Sequence, residues 1–103
     1  MIIPKAITVG RTLFKVAQPA HIQGGARGDV NYTYGEIRIA YFDINGERTA
    51  RQRAETFWHE TTHAILRDMG SHLAYSEKFV TEFSVRLNKV VHSAALPKIG
   101  NIA

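Results

Sequence analysis

One segment, residues 49–69, limits the possible folds more than any other part of the chain. Its apolar residues recur at helical spacing and form one stripe on a helical wheel: Ala54, Phe57, Trp58, Thr61, Ile65 and Met69. Thr49 suits the N-cap position, and Gly70 suits the position just past the last turn. The segment therefore predicts one long amphipathic helix that is packed along one side.

The flanking segments predict strands and a second helix. Residues 5–17 alternate and are rich in β-branched side chains, which indicates a strand or a short hairpin. Residues 31–42 alternate again, with Gly35 marking a bulge, and the glycine-rich residues 18–30 between them predict a mobile loop. Residues 76–92 carry apolar side chains at helical spacing: Phe79, Val80, Phe83, Leu87, Val90 and Val91.

The predicted order is strand, loop, strand, helix, helix. A chain of 103 residues with 45% hydrophobic and 21% charged residues is an ordinary globular domain. We therefore expect an α+β fold in a single domain over residues 1–103, with a small antiparallel sheet packed on the long helix and a second C-terminal helix. Pro97 and Gly100 lie in a tail with few packing residues.

The long helix contains His59-Glu60-Thr61-Thr62-His63, the pattern H-E-x-x-H. Residues four apart lie above one another on a helix, so two imidazoles can reach one Zn²⁺. Glu60 points to the side of that line, where it can take a proton from an attacking water. Chance gives the pattern in a chain of this composition with a probability of roughly one in seventy. The two histidines also lie about 140° from the centre of the apolar stripe, so we expect a zinc site on the opposite face.

A catalytic zinc has three protein ligands and one open position. The chain has no cysteine, so the third ligand must be His, Asp or Glu. Leu66 and Met69 occupy the Gly and last His positions of the metzincin pattern, which excludes that class. Asp68 points away from the histidine line. Three candidates are left, in this order of preference: Glu77, Glu82 and His72.

Residues 54–87, AETFWHETTHAILRDMG followed by SEKFVTEFSVRL, resemble gluzincin-type zinc metallopeptidases. They are most similar to short phage and prophage metallopeptidase-like proteins related to the ImmA/IrrE group. The resemblance implies a minimal zincin-like fold, and it implies His59 and His63 as zinc ligands, Glu60 as the catalytic acid/base and Glu77 as the third ligand. It also implies peptide-bond hydrolysis, with a protein or peptide as substrate.

Three further expectations concern how such a site would work. An exposed edge of the strand within residues 34–42 is expected to hold an extended peptide by strand addition. Tyr75 and His72 are the nearest candidates for a donor to the transition-state oxyanion. The loop at residues 18–30 is either a cover for the cleft or a plain connector.

Two other classes of function are kept as alternatives. A catalytically inactive zincin-like module of phage origin would bind a protein without cleaving it. A nucleic-acid binder would need a basic patch, but the net charge of +4 comes from scattered residues, the densest group being Arg48, Arg51 and Arg53. No segment has the apolar length of a membrane span or the pattern of a signal peptide, so a cytoplasmic protein is expected.

Overall fold

The computed structural model describes residues 1–94, and the predicted tail around Pro97 and Gly100 lies outside the described residues. The predicted α+β class is confirmed. The strands are β1 (Ala6–Val9), β2 (Thr12–Ala17), β3 (Gly28–Asn31), β4 (Glu36–Ile39), β5 (Phe42–Asp43) and β6 (Gly46–Glu47), and the helices are α1 (Ala50–Asp68) and α2 (Glu77–Ser93).

The main sheet has four strands in the order β1-β2-β4-β3, and it is mixed. β1 and β2 form a hairpin, one of the two alternatives predicted for residues 5–17, and β3 pairs with β4 in antiparallel fashion. β2 and β4 run parallel, so the prediction of an antiparallel sheet is wrong for this pair. The reason is the path of the chain. A long connection follows β2, and the turn after β3 then returns the chain beside β2 in the same direction.

The segment predicted as one strand, residues 31–42, is broken by a turn at residues 32–35. The Asn31 side chain accepts a hydrogen bond from the Tyr34 backbone N–H within this turn. Gly35 has a φ of 63°, so it completes a turn and does not form the predicted bulge. The predicted exposed edge is also wrong, because β4 lies inside the sheet and β3 is the edge strand.

α1 begins and ends where the sequence predicts. Thr49 and Gln52 form a reciprocal capping box, and Gly70 follows the helix with a φ of 70°. Phe57 and Ala64 join the core between helix and sheet, together with Val9, Phe14, Ile37 and Ile39. The predicted stripe is wrong at its C-terminal end, since Met69 is 70% exposed. α1 is contacted by both the sheet and α2, so its buried surface is wider than one stripe and includes Thr56, Glu60 and Leu66.

α2 is capped by the Ser76 side chain, which accepts a hydrogen bond from the Phe79 N–H. Its fully buried residues are Val80, Ser84 and Asn88, of which only Val80 belongs to the predicted apolar stripe. Phe83 and Val90 of that stripe are exposed, so α2 packs along a face beside the predicted one. A second small core of Leu66, Ala74 and Val80, with Leu73 and Phe79 packed against it, joins the first turn of α2 to α1. This packing brings the N-terminal end of α2 to the histidine face of α1.

Neither helix of the described residues combines the length and the apolar character that crossing a bilayer requires.

Candidate metal centre

The two histidines of the H-E-x-x-H pattern face one carboxylate at the start of α2. The Nε2 atom of His59 lies 3.1 Å from Glu77 Oε2, and the Nε2 atom of His63 lies 2.8 Å from Glu77 Oε1. The two imidazole rings are 4.9 Å apart between centroids. Three potential ligands from two helices therefore converge on one point, as the preferred choice of Glu77 requires.

A backbone hydrogen bond fixes the orientation of His63. Its Nδ1 lies 2.8 Å from the carbonyl oxygen of Ala74, in the loop before α2. A carbonyl oxygen only accepts, so Nδ1 carries the proton and donates it, which leaves Nε2 of the neutral ring with a lone pair. In the neutral ring that lone pair faces a carboxylate oxygen at 2.8 Å, a contact that is favourable only with a second ring proton or a metal ion between the two atoms. The donor set therefore fits a metal ion.

The spacing of the three groups is also close to that of a zinc site. Ligands about 2.0–2.1 Å from a tetrahedral zinc lie roughly 3.3 Å apart. The two distances at Glu77, 3.1 and 2.8 Å, each to a different carboxylate oxygen, are shorter than that value by about 0.2 and 0.5 Å. A ligating histidine whose second nitrogen donates to a carbonyl is the usual outer arrangement of such sites, and His63 has it.

His59 and Glu60 differ from ordinary surface residues in their protonation. Desolvation by burial lowers the pKa of His59, against an opposing effect of the Glu77 carboxylate. The neutral form, which is the form that binds metals, is thereby favoured. Desolvation, followed by the negative charges of Glu77 and Asp29, raises the pKa of Glu60 to about 7.

Glu60 lies beside the histidines but is buried on the sheet side of α1. Its exposed fraction is 8%, and its carboxylate lies within 4.8 Å of the ligand atoms of both histidines. A carboxyl group that changes its charge near neutral pH can accept a proton and return it. The two glutamates therefore differ in their burial: Glu77 is exposed beside the histidine nitrogens, and Glu60 is enclosed.

The edge strand β3 forms the opposite wall of the cleft. Gly28, Asp29, Val30 and Tyr32 line it together with the two histidines and the two glutamates. A Cβ built on Gly28 would lie 2.6 Å from Thr56 Cγ2 and 3.0 Å from Glu60 Oε2. Only a residue without a side chain lets β3 lie this close to α1. Further along, a cavity of about 300 Å³ continues from His59 and Glu60 between α1 and α2.

The other sequence candidates are not among the residues that line this cleft. Glu82 and His72 are exposed, and Asp68 lies against Gly10 at the far end of α1. Tyr75, one of the two candidate oxyanion donors, is 83% exposed. Two of the three clustered arginines have structural partners. Arg48 is buried and donates hydrogen bonds to the backbone carbonyl oxygens of Arg27 and Ala40, and Arg53 stacks on the Tyr41 ring. These two arginines therefore hold the fold together.

Sequence reasoning missed Tyr32 and assigned the wrong strand to the cleft. β3 overlaps the end of residues 18–30, which the sequence predicted to be a loop. Its four residues, GDVN, carry no local pattern that is typical of a strand. Comparisons with protein-family models, with curated proteins and with solved structures give no match for this chain. Function is therefore inferred from the geometry of the site.

Proposed function

We propose that the protein is a zinc-dependent metallopeptidase that hydrolyses peptide bonds. His59, His63 and Glu77 would hold the zinc, and Glu60 would act as the general base. When bound there, zinc would supply Lewis-acid chemistry, polarising the scissile carbonyl and activating water. A cytoplasmic location, in a bacterial cell if the gene belongs to a phage, stays a prediction.

One observation carries the proposal: both oxygens of a single carboxylate approach the two Nε2 atoms of H-E-x-x-H, at 3.1 and 2.8 Å. A chance pair of histidines on a solvated helix face has no reason to meet an acid from another helix. Here, a separate small core holds α2 in the required place. The hydrogen bond from His63 to Ala74 adds the support that ligating histidines need.

Glu60 is suited to proton transfer. With its pKa raised to about 7, its carboxylate can take a proton from water as the water attacks the carbonyl carbon. The same carboxyl group then gives the proton to the leaving amine. Burial favours the first step, because a buried carboxyl group is stable in its neutral form and so holds the proton until the amine leaves.

The substrate would lie along β3. This strand pairs with β4 on one edge, and no other strand of the described residues pairs with its second edge. An extended peptide can add to such an edge through main-chain hydrogen bonds, which give affinity with little sequence preference. We therefore propose that the peptide adds to β3, beside the catalytic groups, and not to the segment at residues 34–42 that the sequence predicted.

The first experiment is elemental analysis of the purified protein and its variants. We expect one zinc per chain in the wild type and loss of zinc in His59→Ala and Glu77→Ala. The affinity loss should exceed about 100-fold, the upper end for partners outside the ligand shell. Glu82→Ala is the matched control, because Glu82 is an exposed acid on the same helix. A wild type without stoichiometric metal would remove the proposal, whereas zinc retained by Glu77→Ala would remove only that ligand.

The second experiment measures cleavage of fluorescent casein and of a quenched peptide library. Glu60→Gln should keep its zinc and lose activity, and 1,10-phenanthroline should inhibit the wild type. A wild type that binds zinc and cleaves neither probe would favour the inactive protein-binding module instead.

A further inference from the structure

Tyr32 is a tyrosine in the cleft that the sequence did not single out. It follows β3 directly, and its side chain lines the cleft with His59, Glu60, His63 and Glu77. The ring is held from two sides. The Phe14 ring meets it edge-on at 6.2 Å, and the guanidinium of Arg67 lies 3.9 Å from its centroid. The phenol is therefore positioned before any substrate arrives.

The hydroxyl of Tyr32 can donate a hydrogen bond to a bound molecule. Among residues 1–94 it has no hydrogen-bond partner. Burial, opposed in part by Arg67, raises the pKa of Tyr32, with smaller contributions from Glu60 and Tyr75. The group thus keeps its proton at neutral pH.

The other polar side chains of the cleft are carboxyl groups, or histidines that already face one. Asp29, Glu60 and Glu77 are carboxyl groups, and the two histidines turn their Nε2 atoms to Glu77. A carbonyl oxygen that gains negative charge during hydrolysis needs a donor, and a fixed donor in a partly dry site is worth more than water. Among the described residues that line this cleft, Tyr32 is the only tyrosine.

We propose that Tyr32 donates a hydrogen bond to the carbonyl oxygen of the scissile peptide bond as that oxygen becomes an oxyanion. The inference rests on the proposed peptidase function. It replaces Tyr75 as the candidate donor, since Tyr75 is 83% exposed and does not line the cleft. Tyr32 is then a catalytic residue, because its hydroxyl touches the reacting group.

The first test uses three tyrosine-to-phenylalanine variants on the best peptide from the quenched library. Tyr32→Phe should lower kcat roughly 100-fold, the lower end for loss of one oxyanion donor. Its KM should stay within about threefold, because the bond forms mainly in the transition state. Its zinc content should be unchanged. Tyr34→Phe, at an 82% exposed position two residues away, and Tyr75→Phe should match the wild type. Full kcat in Tyr32→Phe, or an equal loss in Tyr75→Phe, overturns the inference.

The second test needs no turnover. Acetohydroxamate places an anionic oxygen at a protein-bound zinc, and its affinity for the zinc-loaded protein can be measured by calorimetry. Tyr32→Phe should bind it at least about tenfold more weakly than the wild type, as expected for losing a hydrogen bond to a charged group. Equal affinities would overturn the role of Tyr32 while leaving the zinc site intact. A wild type that binds no zinc would refute the proposed function itself.

Discussion

Glu60 has its carboxyl group enclosed between α1 and the edge strand, where an ionised carboxylate is poorly solvated. Its pKa of about 7 lies above the ordinary value of 4.5, chiefly because of burial. Without metal, the folded state therefore resists ionisation of Glu60 more than the unfolded state does. The same feature that suits this residue to proton transfer also makes the metal-free protein less stable at higher pH.

We expect Glu60→Gln to stabilise the metal-free protein in a pH-dependent way. The folded pKa is raised, so the wild type loses stability as the pH rises from about 4.5 to about 7. Above that range, the variant should be more stable by up to about 3 kcal/mol, and near pH 4 the difference should vanish. Urea unfolding with EDTA between pH 4 and pH 8 measures this. Glu82→Gln, at an exposed position, is the control, and a Glu60→Gln effect independent of pH would contradict the explanation.

The residues of the site were predictable to different degrees. The spacing of His59 and His63 is enough to place both on one helix face, because helical geometry is local. Glu77 was preferred because it opens a helix that can pack back on the first, and the structure brings its oxygens to both histidines. Tyr32 could not be found this way, since its position at the cleft depends on the pairing of β3 with β4 and on the packing of β3 against α1.

At the scale of elements, helices were predictable and the sheet was not. The capping box of Thr49 and Gln52, and the cap at Ser76, are read from a few adjacent residues. Strand order instead depends on long-range pairing, here the parallel contact of β2 with β4. The wrong prediction of the edge strand results from this dependence on long-range pairing. The alternation of Ile37 and Ile39 is present in β4, but it reports which face of the strand is buried and not whether the strand has one neighbour or two.

Gly28 lets the edge strand β3 approach α1, and we expect Gly28→Ala to disturb both elements. The added Cβ would meet Thr56 Cγ2 at 2.6 Å, and it would lie 3.0 Å from both the Arg38 carbonyl oxygen and Glu60 Oε2. Overpacking of this kind costs about 1–3 kcal/mol of unfolding free energy. Urea unfolding measures the loss, and peptide cleavage should fall with it because the shift displaces Glu60.

The double variant with Thr56→Ser is the matched control for that clash. Serine removes the Cγ2 methyl group but keeps the hydroxyl that bonds to Arg48. The double variant Gly28→Ala/Thr56→Ser should therefore lose less unfolding free energy than the sum of the losses in the two single variants. Strictly additive effects would show that the strand does not press on Thr56.

For the molecule as a whole, the site lies where its parts meet. In the proposed function, α1 would contribute two ligands and the base and α2 the third ligand, while residues of β3 line the same cleft. Two separate small cores hold these parts, one between α1 and the sheet and one between α1 and the start of α2. A metal ion bound to both helices would add a third connection, and it would bind the folded chain in preference to the unfolded one.

Zinc should therefore raise the melting temperature of the whole domain. Free zinc at 100 times its dissociation constant adds about 2.7 kcal/mol to the unfolding free energy. For a chain of 103 residues this corresponds to a rise of roughly 10–20 °C. Differential scanning calorimetry with zinc and then with EDTA checks the rise and its reversal. His63→Ala should show neither, and Mg²⁺ should not replace zinc, because imidazole nitrogens select the softer ion. An equal rise in His63→Ala would mean that zinc stabilises the chain from elsewhere.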